Sequence, residues 1–234
     1  MNQFYAPEIL TTLQLPEVES QHCVRVLRLG AGDKIEVIDG CGTRYICNIT
    51  LAHPKRCQVE IIESHSIPNH WKCNLSIGIA PTKNIDRIEW MAEKVTETGV
   101  DAIIPLRCRY SERKELKIER INKILISAMK QSLKTTLPRL DEMTPFNDLI
   151  TAKFDGQKFI AYCDKEIERR SFVHEYIKGE NALIIIGPEG DFSKDEIRLA
   201  LDNGFIPVSL GESRFRTETA AVFACAAFHV INQL

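Results

Sequence analysis

The first seventy residues alternate between apolar and polar positions in short runs. Apolar side chains occupy every second position at residues 45–49 and again at 57–61, and Gly40 and Gly42 precede the first of these runs. A period of two is the pattern of a strand with one buried face, and glycine is typical of the turns between strands. The pattern predicts short antiparallel strands that form a small β-barrel, interrupted by one helical turn around residues 20–29.

The pattern then changes to apolar strands that alternate with amphipathic helices. Strands are predicted at 75–79, 101–106, 158–163, 182–186 and 205–210, and helices at 84–98, 117–134, 193–203 and 217–232. Repeated alternation of strand and helix is typical of a parallel sheet covered by helices. Residues 64–71 have no periodicity and separate the two patterns. We therefore expect a barrel domain at residues 1–70 and an α/β domain at residues 71–234.

The helix predicted at 217–232 is apolar on nearly all sides, which is the pattern of a helix buried all round. We expect it in the centre of its domain or against another subunit. The apolar run 220–231 is shorter than the roughly 20 residues that span a bilayer, so no membrane partner is expected. The first residues lack the basic start and the following apolar run of a signal peptide, so we expect a cytoplasmic protein.

The eight cysteines suggest buried thiols rather than a metal site. They form no CxxC pair and no cluster with zinc-finger spacing, so we expect no bound metal and reduced thiols in the core.

Positive charge is concentrated in one segment, although the net charge of the chain is only −2. Residues 105–140 contain ten Lys or Arg and three Glu, which gives +7 against −9 for the rest. Such asymmetry favours a local anionic partner, and the alternative is a solvated helix face with ion pairs along it.

Two loops near the C-terminal end combine features of a ligand site. The buried run ending at Ile186 leads into Gly187 and Gly190, and the next predicted strand leads into a loop with Gly211 and Arg216. Glycines let a ligand approach the backbone, and loops at the carboxyl ends of parallel strands form ligand sites. If the two strands are neighbours, the loops share one crevice. The glycine pattern alone also fits a plain turn, and the common dinucleotide, phosphate-loop, serine-hydrolase and zinc motifs are absent.

At these two loops the chain resembles the 16S ribosomal RNA uridine-N3 methyltransferases of the SPOUT class. The matching stretches are Ile186-Gly-Pro-Glu-Gly190 with Phe192-Ser193 and Glu196, and Leu210-Gly211 with Arg216-Thr-Glu-Thr-Ala220. Further matches are His22, Val26-Leu-Arg-Leu29 and Gly32-Asp33, then Lys83, Lys94-x-Thr-Glu-x-Gly-Val100 and Pro105, and finally Ala128-Met-Lys-Gln-Ser132 and Pro138.

The resemblance implies a PUA-like barrel that binds RNA, followed by a trefoil-knotted domain that binds S-adenosylmethionine and forms a homodimer. The cofactor residues expected from it are Ile186, Gly187, Pro188, Glu189, Gly190, Leu210, Gly211, Phe215, Thr217 and Ala220. Two departures stand out: Asp191 replaces a second glycine of the family, and Ser213 with Arg214 replaces a pattern in which the arginine comes one position earlier.

The implied reaction is methylation of N3 of an unpaired uridine in 16S ribosomal RNA of the small subunit. Glu189 and Glu218 are the candidates to remove the N3 proton, and Arg216 is the candidate to stabilise charge on the uracil oxygens; local ion pairs are the alternative role of each. The candidate RNA contacts are Arg25, Arg28, Arg107, Arg109, Lys130, Lys134, Arg139 and Arg214. Two alternatives stay open: a different RNA site, or a non-catalytic RNA-binding factor in ribosome assembly.

Overall fold

A computed structural model describes residues 3–163 and 168–233. Contacts within the chain divide it into two units. The first comprises Met1–His70 with Ile126–Leu137, and the second comprises Trp71–Leu125 with Pro138–Leu234. The sequence pattern alone did not associate the segment Ile126–Leu137 with the first unit.

The first unit is built on a four-stranded sheet with the order β1-β2-β3-β4. Its elements are β1 (Gln3–Tyr5), α1 (Ile9–Thr12), α2 (Glu17–Gln21), a π-helix (His22–Val26), β2 (Lys34–Ile38), β3 (Thr43–Leu51) and β4 (Gln58–Ser66). Strands β2, β3 and β4 pair antiparallel as predicted, whereas β1 pairs parallel to β2. That parallel pair was not predicted, because its strand has only three residues and too few positions to display a period.

The alternating pattern of β3 and β4 places one face of the sheet in a core. Cys47 and Ile49 on β3 and Val59 on β4 are buried there with Phe4 from β1 and Leu15 from the loop before α2. This is the arrangement expected for a period-two strand, in which alternate side chains point to the same face.

The segment Ile126–Leu137 joins the first unit through polar contacts. Lys130 forms an ion pair with Glu19, with 2.6 Å between Nζ and Oε1, and both side chains are largely buried. The Thr135 hydroxyl donates a hydrogen bond to the Ile67 carbonyl at 2.9 Å. Such contacts join residues far apart in sequence, so periodicity gave no sign of them.

The second unit alternates strands and helices, as the sequence predicts. Its elements are β5 (Leu75–Ile79), α3 (Ile85–Thr98), β6 (Ala102–Arg107), α4 (Ile118–Gln131, the end of which belongs to the first unit), β7 (Arg139–Leu140), β8 (Thr144–Pro145), α5 (Phe146–Thr151), β9 (Gln157–Ala161), β10 (Arg170–Ser171), α6 (Phe172–Glu175), β11 (Ala182–Ile186), α7 (Lys194–Asp202), β12 (Ile206–Ser209) and α8 (Thr217–Gln233).

All recorded pairs of the large sheet are parallel, and the strand order is β10-β12-β9-β11-β5-β6-β7, with β8 also paired to β6. Every residue of β11 is buried, which explains its continuous apolar run, since a central parallel strand is covered on both faces. The predicted α/β class with a parallel sheet is confirmed. The trefoil knot implied by the resemblance stays a prediction.

Helix α8 packs on α3 through its buried face. The Cys225 thiol lies 3.8 Å from the Val95 carbonyl, and His229 Nε2 lies 2.6 Å from the Gly99 carbonyl oxygen. The opposite face is exposed, and 55% of Val230 on this face is accessible to solvent. The helix is therefore not buried on every side within the single chain, and the alternative expectation, a contact with another subunit, stays a prediction.

Six of the eight cysteines are buried, and Cys41 and Cys163 are exposed. Burial raises the pKa of Cys47 to about 11 and the pKa of Cys23 to about 12, so these thiols stay protonated and unreactive at neutral pH. Within residues 3–163 and 168–233 there is no cluster of three or more metal-ligating side chains, and no helix is long and apolar enough to cross a membrane.

Candidate active site

A cavity of about 330 Å³ lies at the carboxyl ends of β9, β11 and β12 in the second unit. Strands β11 and β12 are not neighbours, because β9 lies between them. The two predicted loops nevertheless share the crevice, and the end of β9 adds Ala161, Tyr162 and Cys163 to its wall. The cavity thus occupies the usual ligand position of an open parallel sheet.

The cavity collects nearly all of the predicted cofactor residues. Those in its lining are Ile186, Gly187, Pro188, Glu189, Leu210, Gly211, Phe215, Thr217 and Ala220. Gly190 is not in the lining. A Cβ added at Gly190 would lie 3.3 Å from the Cβ of Tyr110, so this glycine permits close packing against the loop after β6.

A tight turn after β11 shapes one wall of the cavity. The Asp191 amide donates a hydrogen bond to the Pro188 carbonyl at 2.9 Å, and Asp191 has a φ of 65°. This left-handed conformation favours glycine and tolerates aspartate, which explains why aspartate can replace the glycine of the family. The Asp191 carboxylate also accepts hydrogen bonds from the amides of Cys163 (2.7 Å) and Phe192 (2.9 Å). Asp191 therefore ties the turn to the end of β9.

The two loops are joined by one buried hydrogen bond. The Thr217 hydroxyl donates to the Gly187 carbonyl at 3.1 Å, and Thr217 is the first residue of α8. A Cβ added at Gly187 would lie 3.2 Å from the Phe192 ring, closer than most Cβ contacts. The hydrogen bond therefore links the two loops, and Gly187 allows the first loop to pack closely on Phe192.

The carboxylate of Glu189 is held by the backbone next to the cavity. Its Oε1 accepts a hydrogen bond from the Lys83 amide at 3.0 Å. The Arg113 guanidinium donates to the Lys83 carbonyl at 2.6 Å, and the Lys83 ammonium pairs with Glu112 at 3.0 Å. The Glu112 carboxylate raises the pKa of Lys83, with a smaller contribution from Glu189. Glu189 therefore anchors the loop after β5 to the turn after β11.

The carboxylate of Glu218 is buried at the start of α8. Its Oε1 lies 3.7 Å from Arg87 Nε, and its Oε2 is buried without a hydrogen-bond partner among the described residues. Only 6% of Glu218 is exposed, whereas Arg216, two residues earlier, is exposed. Arg216 has no ion pair with any residue of 3–163 or 168–233. The ion pairs of Arg216 with Glu189 or Glu218 that the sequence left open do not form in this part of the chain.

Several lining residues were missed by the sequence analysis, among them two arginines and a tyrosine. Arg87 comes from α3, Tyr162 follows β9, and Arg169 lies beside Tyr162 with its guanidinium bonded to the Tyr162 carbonyl at 2.5 Å. No local motif marks these positions, because each reaches the cavity only through the packing of elements that are distant in sequence.

The predicted RNA contacts are divided between the two units. Arg25 and Arg28 are exposed on the first unit, where Arg28 has a left-handed φ of 56°. Lys130 also lies in the first unit, but its ion pair with Glu19 leaves the side chain only 21% exposed. Lys134 is partly buried there as well. A partly buried, paired lysine has little freedom to contact a phosphate, so Lys130 is the weakest member of the predicted set.

The remaining predicted contacts belong to the second unit and are exposed. Arg109 pairs with Asp195 at 3.3 Å, and Arg139 pairs with Asp141 at 3.2 Å. Arg107 is exposed at the end of β6, and Arg214 is exposed in the lining of the cavity. Ion pairs at exposed positions are weak, so a phosphate can replace the carboxylate partners at little cost.

Comparison with known proteins matches both units to RNA-modifying families. The RNA methyltransferase domain matches residues 69–229, and the RNA methyltransferase PUA domain matches residues 15–62. The chain belongs to the RNA methyltransferase family. The family resemblance carried by the two loops is thereby confirmed, as is a PUA-like domain before the α/β domain.

Individual relatives of this RNA methyltransferase cover almost its whole length. A probable rRNA-methyltransferase from Porphyromonas gingivalis is 42% identical, with a TM-score of 0.94, over 100% of this chain and 99% of the other. Ribosomal RNA small subunit methyltransferase E from Neisseria gonorrhoeae was solved with bound S-adenosyl methionine. It is 27% identical, with a TM-score of 0.86, over 98% of this chain and 97% of the other. The enzyme of that name from Synechocystis is 31% identical over 97% of this chain and 76% of its own.

Proposed function

We propose that this RNA methyltransferase transfers a methyl group from S-adenosylmethionine to N3 of a uridine in 16S ribosomal RNA. The observation that carries the proposal is that the end of β9 and the two family loops line the same cavity. Its support comes from relatives that are named ribosomal RNA small subunit methyltransferase E, one of them solved with this cofactor.

The residues of the cavity suit the proposed cofactor. Ile186, Val208 and Leu210 supply apolar surface for an adenosine, and a Cβ added at Gly211 would meet no protein atom within 4 Å, so the backbone there is open to a ligand. The charged groups of the lining carry both signs, as suits a ligand with a carboxylate, an ammonium and a sulfonium. They are Arg87, Arg169, Arg214 and Arg216, with Glu189, Asp191 and Glu218. The volume lies within the usual range for small-molecule sites.

The bound cofactor supplies an electrophilic methyl group, and the protein has to position the acceptor nitrogen and take its proton. Most of the rate then comes from holding donor and acceptor in line. Glu218 is the better candidate for the base, because its Oε2 has no hydrogen-bond partner among the described residues, whereas Glu189 accepts from the Lys83 amide. Arg216 lines the same cavity, and we expect its guanidinium to stabilise negative charge on the uracil oxygens.

The exposed arginines of both units are proposed to contact the phosphates of the RNA, and the PUA-like unit is proposed to bind RNA. Phosphate contacts release counterions, so RNA affinity is expected to fall steeply as salt is added. A salt-independent affinity would refute the phosphate contacts.

The decisive experiment is methyl transfer from labelled S-adenosylmethionine to small ribosomal subunits that lack the modification, with naked 16S RNA in parallel. Nucleoside analysis is expected to find N3-methyluridine. Methylation of another base or another RNA would redirect the assignment. Calorimetry with the cofactor tests the alternative of a non-catalytic assembly factor, for which no binding is expected.

A homodimer is proposed on the basis of the family resemblance, and the outer face of α8 supports it. Phe223 and Val230 are apolar residues on this face. In the single chain 37% of Phe223 and 55% of Val230 are accessible to solvent. We expect light scattering to give the mass of a dimer. Val230→Glu should shift it toward the monomer, and a monomeric wild-type protein would contradict the proposal.

A further inference from the structure

A groove beside the cofactor cavity has aromatic and charged walls. Its lining comes from α3 and from the start of α8 and comprises Asp86, Arg87, Trp90, Arg216, Glu218 and Thr219. Arg87, Arg216 and Glu218 also line the cofactor cavity, so the same side chains form the boundary between the two spaces. We propose that this groove binds the target uracil, with Trp90 as its stacking surface. The inference rests on the proposed function.

The exposure of Trp90 is the first argument. Its neighbours Ile88, Met91 and Val95 are buried on the inner face of α3, whereas 45% of Trp90 is accessible to solvent. Proteins that bind unpaired nucleotides stack the bases on exposed aromatic side chains. An indole at the wall of a groove, next to groups that form hydrogen bonds, provides such a surface.

The charge of the groove is the second argument. Asp86 and Glu218 balance Arg87 and Arg216, so the groove is neutral in total. A phosphate would meet two carboxylates there and is disfavoured. A neutral planar ring with both donors and acceptors is the better match.

The hydrogen-bonding edge of uracil fits the available groups. That edge carries the O2 and O4 acceptors on either side of the N3–H donor. Arg216 offers guanidinium donors that no described carboxylate occupies, and the buried Oε2 of Glu218 lacks a donor. Cytosine presents an amino donor in place of O4 and no proton on N3, so Glu218 can accept a hydrogen bond from cytosine only at the amino group and not at N3. Because Glu218 lines both spaces, a base bound through N3–H has that nitrogen at the boundary with the cofactor cavity.

Replacement of Trp90 tests the stacking role in the full-length enzyme. We expect Trp90→Ala to lower kcat/KM for small ribosomal subunits by about tenfold to a hundredfold, the loss produced by removing one base–aromatic stack. Trp90→Phe should retain most of the activity. In both variants the affinity for S-adenosylmethionine, measured by calorimetry, and the oligomeric mass should equal those of the wild type.

Two results would overturn the proposal. Wild-type kinetics for Trp90→Ala would show that no base stacks on the indole. A changed oligomeric mass in that variant would assign the surface to a contact between two copies of the chain.

Tryptophan fluorescence tests the groove without any methyl transfer. The chain has two tryptophans, Trp71 and Trp90. With saturating S-adenosylhomocysteine, a short single-stranded RNA with one uridine should quench the wild-type protein, and the same RNA with an abasic residue at that position should not. Trp90→Phe, which retains Trp71, should show no quenching. Equal quenching of the variant would refute the groove, whereas quenching without methylation of subunits would refute only the proposed function.

Discussion

Replacing Asp191 by glycine, asparagine and alanine separates two reasons why aspartate suits its turn. The residue has a left-handed φ of 65°, and its carboxylate accepts hydrogen bonds from the amides of Cys163 and Phe192. At this partly exposed position we take each bond to contribute about 1 kcal/mol, which is below the usual range for a charged acceptor because solvent screens the charge. Alanine also incurs roughly 1–2 kcal/mol for the left-handed backbone, which glycine avoids.

These magnitudes predict an order of stability for the variants. Asp191→Asn, which keeps an acceptor oxygen, should lower the free energy of unfolding by about 1 kcal/mol, Asp191→Gly by about 2 and Asp191→Ala by about 3. Urea unfolding followed by tryptophan fluorescence measures these free energies of unfolding, because Trp71 and Trp90 both belong to the second unit, which contains Asp191. Equal losses for glycine and alanine would refute the role of the backbone conformation. Equal losses for asparagine and glycine would refute the role of the side-chain oxygens.

Three further predictions concern the cavity. Thr217→Val should lower the free energy of unfolding, measured by urea denaturation, by about 1–3 kcal/mol, because it leaves the buried Gly187 carbonyl without its donor, whereas Thr217→Ser should unfold like the wild type. A maleimide should modify the exposed Cys163 and Cys41, and saturating cofactor should protect only Cys163, which lines the cavity; equal rates with and without cofactor would contradict its position. Arg214→Gln should reduce the salt dependence of RNA binding by about one unit of the logarithmic slope if Arg214 contacts a phosphate, and an unchanged slope would exclude that contact.

The elements predicted from sequence are those with a strong local pattern. The predicted limits of β11 agree with the observed strand, because a central parallel strand is a continuous apolar run bounded by polar residues and glycine. The start of α7 was also predicted, because its capping box is formed by Ser193 and Glu196, which lie within four consecutive residues. The short elements β7, β8, β10, α5 and α6 were missed, since two to six residues do not display a period.

The site was predicted only as far as its two loops. Arg87 enters it because α3 packs beside α8, and Tyr162 enters it because β9 lies between β11 and β12. Neither neighbour relation can be read from one sequence. The partners of Glu189 and Glu218 were unpredictable for the same reason, since Lys83 and Arg87 lie over a hundred residues earlier.

The position of β9 between β11 and β12 has a consequence for the folding of the enzyme. Ile186 pairs with Ile79 on one side and Ala161 on the other, and Val208 completes the row beyond Ala161. Sheets assembled from such distant segments fold slowly, because loop-closure entropy is lost before the pairing is gained. The cavity does not exist until the row is complete. The cofactor therefore cannot guide early folding steps, and its stabilising effect should appear mainly as slower unfolding of the finished domain.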